Sequence, residues 1–351
     1  MRTDKECLCP HQVIPKNMTT TAANFAGLHV AALESRRADD MARLIERHAG
    51  AMLAQGRAET LVHWVDELPP EIQHAHPWTV YWAAACKAQR APREGRLGFE
   101  RAYELFRTQA VADASGMVLA CSGAMDAILY ELDDFSLLDR WIAVLDGMAR
   151  DGMRLPSPEA EARVACSMFF SLTLRQPQRR DIEQWIERAI SASQQAPDPN
   201  LKMFVGLLAA LTLMWTGVYV RARGLIEAMR RLAAAPGVSP FSLLTLKNVE
   251  AMYHMLAAER EPCLAAMREG LEIARATGIH TWSVQLLVNG YGGALGGQDL
   301  EAAAPIARQL EAQAGAVVRL GDARGVPVPL HRTIYAALLP LERRARGELS
   351  W

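Results

Sequence analysis

Five apolar residues, Ile142, Ile186, Ile226, Met267 and Ile306, occupy matching places in the stretches LDRWIAVLD, IEQWIERAI, RGLIEAMRR, LAAMREGLE and AAPIARQLE. They lie 44, 40, 41 and 39 residues apart. A beat this steady leaves few folds open, because a supersecondary unit of about forty residues has an apolar face that it cannot bury alone and must stack on the next unit. Each period also divides in two. A first segment rich in small apolar residues is followed by a more charged one, with Gly, Pro and Asp between them.

Cut in this way, the first helices are expected at about 40–54, 78–89, 115–132, 158–174, 200–217, 241–259 and 281–295. The second helices are expected at about 58–68, 93–108, 136–150, 179–194, 222–234, 263–277 and 300–314. Composition agrees: half the residues are hydrophobic and aromatics are only 7%, with Ala, Leu, Met, Arg and Glu recurring as in helices. The fold expected is all-α, a right-handed superhelical solenoid of about seven antiparallel helix hairpins, with its first helices lining a concave side. Residues 39–315 form the repeat domain, residues 1–38 a flexible lead in which Met18 could be the true start, and 316–351 an irregular tail with room for a helix over 331–346. No capping repeat is legible there, so the chain reads as a piece of a longer protein.

Local signals support the cut. Ser157 is placed to cap the helix that begins PEAEARVACS, with Pro158 in its first turn and Glu159 and Glu161 at the positive end of its dipole. In DIEQWIERAI, Ile182, Trp185, Ile186, Ala189 and Ile190 share one face. Pro305, inside EAAAPIARQL, should kink or restart its helix.

Charge and cysteines narrow the partners. Lys plus Arg number 38 against 39 Asp plus Glu, a net charge of -1, which gives no electrostatic reason to bind nucleic acid or an anionic membrane. Four of the six cysteines (Cys86, Cys121, Cys166, Cys263) stand singly in apolar runs, the pattern of buried free thiols in a reducing cytoplasm. The first 24 residues hold no apolar core of a secretory signal. Met203 to Val220 is an uncharged run of eighteen, the lower limit for a membrane span; diluted by Thr212, Thr216 and two glycines and in step with the repeat, it is read as a buried helix.

Chemistry-bearing motifs are scarce. His63, His74 and His76 cluster in sequence, the last two in a proline-bracketed turn, but they lack the four ligands of a closed zinc site. Cys7, Cys9 and His11 lack a fourth as well. NGYGGALGGQD has Leu295 where a dinucleotide fingerprint needs glycine, and no strand precedes it. Cys121, Ser122 and Asp126 have no histidine at a supporting spacing. No metal, cofactor or catalytic residue is expected, and the chain is read as not an enzyme.

What remains is polar residues at helical spacing on first helices: Ser122, Asp126 and Tyr130; Lys247, Glu250 and His254; Gln285 and Asn289. These are the candidates for ligand contact on the concave face. The plainer reading of the same rows is solvated helix edges.

ARLIERHAGAMLAQGRAETLVHWVDELPPEI, followed by HPWTVYWAAACKAQ and FERAYELF, resembles the helical-repeat region of MalT-like signal-transduction regulators of the LuxR type, with Trp64, Val65, Leu68 and Pro69 carrying the turn. The likeness runs from about Asp40 to Ala314 and implies tetratricopeptide-like pairs. It also implies a cytoplasmic regulator with an ATPase module before the repeats and a DNA-reading helix-turn-helix after them; neither motif is found here. The resemblance therefore implies only the sensor region, which receives a small effector or a partner protein. Two rivals stand beside it, an adaptor gripping an extended peptide and a hydrolase using Cys121 or Asp126.

Overall fold

The computed structural model describes residues 38–54, 57–88, 91–131, 133–152, 155–329, 332, 333, 335 and 336. Cys7, Cys9, His11 and most of the 331–346 segment lie outside them. Every regular element among the described residues is helical. The chain gathers into two compact units that divide between Leu208 and Ala209.

In the first unit, α1 (Ala38–Ala54) and α2 (Ala58–Asp66) are followed by a short α3 (Pro70–Ala75). Then come α4 (Pro77–Lys87), α5 (Pro92–Thr108), α6 (Ala114–Glu131), α7 (Leu138–Arg150, entered through a 3-10 turn at Phe135–Leu137), α8 (Pro158–Arg175) and α9 (Ile182–Gln195). Helix α10 (Pro199–Trp215) contains the division. The second unit continues with α11 (Tyr219–Leu232), α12 (Pro240–Leu256), α13 (Arg260–Thr277), α14 (Ser283–Gly296) and α15 (Leu300–Arg324). Apart from α3, chain order gives seven successive helix pairs at the expected places.

Packing follows the pairs. In the first unit α4 packs on α5, α6 on α5 and α7, and α8 on α9; the first helices α4, α6 and α8 also touch in succession. In the second, α12 packs on α13 and α14 on α15, while α12 also packs on α14. The first helices of each unit thus form one layer, sandwiched on more than one side, which explains why α6 and α8 are apolar around most of their circumference. The second helices bury one stripe: in α9, Ile182, Trp185, Ile186 and Ala189 are buried, with Ile190 half-buried. Ser157 caps α8 as expected, accepting from the Ala160 amide at 3.2 Å.

Close approach of α5 and α6 depends on Gly123. A Cβ there would lie 2.6–2.8 Å from three atoms of the Phe99 ring, and that ring is completely buried. We expect Gly123→Ala to lower stability by about 1–2 kcal/mol, the overpacking outweighing the helix-propensity gain, measured as a shift in the urea midpoint.

Two expectations change, at His74 and at the end of α15. The segment bearing His74 is a short helix, not a plain turn. The apolar run from Met203 is divided where the cut puts the boundary between first and second helices, α10 ending at Trp215 and α11 starting at Tyr219 across the left-handed Gly217. Among the described residues no helix is long and apolar enough to cross a membrane. Helix α15 does not restart at Pro305 but runs on to Arg324, ten residues beyond the expected end, with Leu310 and Val318 buried further along.

Candidate functional site

The candidate residues fall in two groups, one in each unit. In the first, Ser122, Asp126 and Tyr130 stand one turn apart on α6 and face a matching row on α8: Arg163, Ser167 and Ser171. Ser167 Oγ donates to Asp126 Oδ1 at 2.7 Å and also approaches the Arg163 carbonyl at 3.2 Å. Ser122 Oγ lies 2.8 Å from Ser167 Oγ; with the Ser167 proton directed at the carboxylate, Ser122 is the donor. Both serines are buried, Asp126 and Arg163 are half-buried, and the Tyr130 side chain is exposed at the rim.

The electrostatics of this seam follow from its burial. Loss of water pushes the Asp126 carboxyl up to about 7, against the Ser167 hydrogen bond and the Arg163 charge, which both favour ionisation. Burial lowers Arg163 while Asp126 acts in the other direction; a guanidinium starts so high that it keeps its charge. Tyr81, from α4, is pushed up by burial and senses both groups. The Cys166 thiol is raised by burial too.

In the second unit the candidates are closed on one another. Glu250, wholly buried, takes Lys247 Nζ at 3.0 Å and the Arg230 guanidinium of α11. Lys247 also reaches Glu269 of α13 at 2.7 Å. Burial works to lower Lys247, and its bonds to Glu269 and Glu250 outweigh that, leaving it above its usual value. His254 Nδ1 meets Glu259 at 2.6 Å, and its Nε2 lies 3.2 Å from Arg230. Gln285 Nε2 donates to Asn289 Oδ1, and the buried Asn289 amide donates to Asn248 Oδ1, each at 3.2 Å. These groups tie α11, α12, α13 and α14 together. Removing the charge with Glu250→Gln should cost about 1–2 kcal/mol of unfolding free energy, since Lys247 keeps Glu269 and Arg230 can turn to water.

A third feature had no counterpart in the sequence reading. Asp146, Arg150, Arg179, Asp181, Gln184, Trp185 and Arg188 line an open cleft of about 450 Å³ between α7 and α9. Its guanidiniums are largely spent: Arg179 is held by Asp146 and Asp181, and Arg188 by Glu161 at 2.8 Å while lying over the Trp185 ring. Counting Glu161, three carboxylates stand against the three arginines of the lining, so the cleft offers a ligand little net charge.

Ser167 was legible in principle. Arg163, Ser167 and Ser171 repeat at the same i, i+4, i+8 spacing that marks Ser122, Asp126 and Tyr130; the pairing of the two rows was not. Cys121, next to Ser122 in sequence, turns the other way. It is fully buried, its Sγ lies 3.6 Å from the Trp141 carbonyl, and burial raises its pKa, which speaks against a thiolate nucleophile. His63 pairs with Glu67 at 3.3 Å, and His76 Nδ1 lies 3.3 Å from Thr79 Oγ1. Among the described residues no group of three His, Cys, Asp or Glu could hold a metal ion.

Comparison with solved structures places this arrangement. The chain is similar to a Signal Transduction ATPase with Numerous Domains (STAND) protein with a tetratricopeptide repeat sensor from Pyrococcus horikoshii, with a TM-score of 0.59 at 14% identity over 94% of this chain and 48% of that one. The fold is a tetratricopeptide-type array of helix hairpins. The chain spans about half the length of that protein. No family model matches the sequence, and no curated protein does.

Proposed function

We propose that this chain is a non-enzymatic sensor and interaction module in cytoplasmic signalling or transcriptional control, and that its first-helix layer receives a small effector or a partner segment. The observation that carries this reading is the seam of Ser122, Asp126, Arg163 and Ser167. A layer otherwise built from Ala, Val, Met and Phe keeps a carboxyl group, a guanidinium and two hydroxyls together at its half-open edge, at a desolvation cost that packing alone does not require. Similarity to a signalling ATPase with a repeat sensor supports the sensing role, and the near-zero net charge argues against nucleic acid as the thing sensed. The MalT-like and LuxR-type assignment belongs to this proposal, on the turn at Trp64–Pro69 and the repeat spacing. Nothing in the seam supplies an activated nucleophile, so recognition without turnover is the activity expected.

Calorimetric titration of the purified chain with a metabolite panel tests this. The expected result is saturable binding by at least one compound, weakened by Asp126→Asn and unaffected by Arg150→Ala in the α7–α9 cleft. Turnover of a ligand, or binding indifferent to Asp126, would count against it.

A further inference from the structure

We propose that the second unit pairs with a second copy of this chain through an apolar strip on its α10–α11, α12–α13 and α14–α15 turns, the two strips lying antiparallel across a twofold axis. The inference does not depend on the seam of the first unit.

The strip begins in the backbone. Helices α10, α12 and α14 each end at a left-handed residue: Gly217, Ala258 and Gln298. After each, the next amide donates to the carbonyl five residues back, Val218 to Leu213 at 2.7 Å, Glu259 to His254 at 2.8 Å and Asp299 to Ala294 at 2.9 Å. One turn built three times aims matching residues the same way. Trp215 and Leu256 stand two residues before the left-handed position, and Tyr219 and Leu300 two residues after it. The turns also lie side by side. Arg260 of the middle turn pairs with Asp299 of the third at 3.3 Å. On the other side α11 packs on α12, with the Arg230 guanidinium 3.2 Å from His254 Nε2, and Arg223, bonded to Glu227, also feels the charge of Glu259.

Water meets this edge on apolar groups. Trp215, Val218, Tyr219 and Val220 are exposed at the first turn and Leu256 at the second. Leu295 and Leu300 are exposed at the third. These seven are half of the fourteen large apolar side chains exposed among the described residues, so exposure is concentrated here. With ordinary whole-residue areas, their exposed fractions come to roughly 800 Å², more than the largest apolar patch of a typical monomer and enough for one side of a standard protein–protein interface. The fold itself does not ask for apolar turns: those after α6 and α8 carry Asp133, Asp134, Gln178 and Arg180.

Charge selects the occupant. At one end of the strip α11 opens with Arg221 and Arg223 against a single acid, Glu227; at the other, α15 opens behind Asp299 with Glu301. An edge that is basic at one end and acidic at the other complements its own reverse. A twofold axis through the middle turn sets Arg223 beside Glu301 of the partner subunit, twice, and lays apolar turn on apolar turn. The parallel alternative would bring like charges together at both ends.

Sedimentation velocity of the full chain from about 1 to 100 μM is the test, and the expected result is a monomer–dimer equilibrium with a dissociation constant in about the micromolar range. Val220 and Leu300 are 88% and 70% exposed, and aspartate suits the first turn of a helix, so Val220→Asp and Leu300→Asp should fold normally. Each should weaken the dimer by about thirtyfold or more, because each enters the interface twice, with far-UV circular dichroism unchanged. Arg223→Glu and Glu301→Arg should each weaken it by about tenfold, and the double variant should recover most of the affinity. Such recovery requires that the two positions meet across the axis. The inference is overturned if the chain stays monomeric throughout, if the dimer is indifferent to Val220→Asp, or if the double variant is no tighter than the single ones. A monomer that binds phosphatidylcholine vesicles, and loses them on Val220→Asp, would assign the edge to a membrane and overturn it too.

Discussion

Phe99→Ala is expected to cost about 3–5 kcal/mol of unfolding free energy. The Phe99 ring is completely buried where α4, α5 and α6 meet. It stands edge-on to Tyr81, with ring centroids 5.4 Å apart, and fills the space that Gly123 leaves on α6. Deleting it opens a cavity between three helices whose backbones are held by their other contacts, so collapse is incomplete and both transfer and cavity terms are lost. The mechanism predicts a coupling. With the ring gone, the Cβ of Gly123→Ala meets open space, and the second substitution should turn from destabilising to neutral or favourable, since Ala is the better helix former. Urea midpoints of the two single variants and the double variant measure this; simple additivity would show that Gly123 does not set the α5–α6 distance.

Asp126→Asn should change how stability depends on pH. Burial raises the folded-state pKa of Asp126 to about 7, above the ordinary carboxylate value of about 3.9. Between those values the folded chain holds a proton that the unfolded chain has released. Stability therefore falls as pH rises across that window, and is highest below it. The full span corresponds to a ceiling of about 4 kcal/mol, and partial solvent access at Asp126 lowers the expected effect to about 2 kcal/mol. Asparagine keeps an acceptor for Ser167 and has no charge to desolvate. At about pH 3, below the window, the variant and the native chain should be of similar stability; at about pH 8 the variant should be the more stable by roughly 2 kcal/mol. Thermal unfolding at both values is the measurement, and parallel pH profiles would place Asp126 in water. A variant more stable but weaker in ligand binding is the signature of a residue kept for recognition rather than for folding.

The two rows at the seam show what could be read in advance. Helical spacing brought Ser122, Asp126 and Tyr130 onto one side of α6, and that holds. Their surroundings did not follow from spacing: Ser122 is buried rather than solvated, because α8 lies over it and Ser167, 45 residues away, supplies its partner. The second unit makes the same point more strongly. Lys247, Glu250 and His254 look like an exposed polar row, yet Glu250 is among the most buried residues of α12, since Arg230 and Lys247 supply the charge that burial demands. Gln285 and Asn289 likewise spend their amides on each other and on Asn248. Whether a polar residue on an amphipathic helix faces water, a ligand or a neighbour depends on the helix packed opposite.

The hairpin count, the order of first and second helices and the buried stripe of α9 follow from local regularities, because capping residues, helix breakers and the 3.6-residue repeat act within a few residues of one another. The length of α15, the joining of α6 to α8 through two serines and the raised acid at Asp126 depend on packing between residues far apart in the chain. Those are properties of space filled and water removed, and they come into being only when the helices lie side by side.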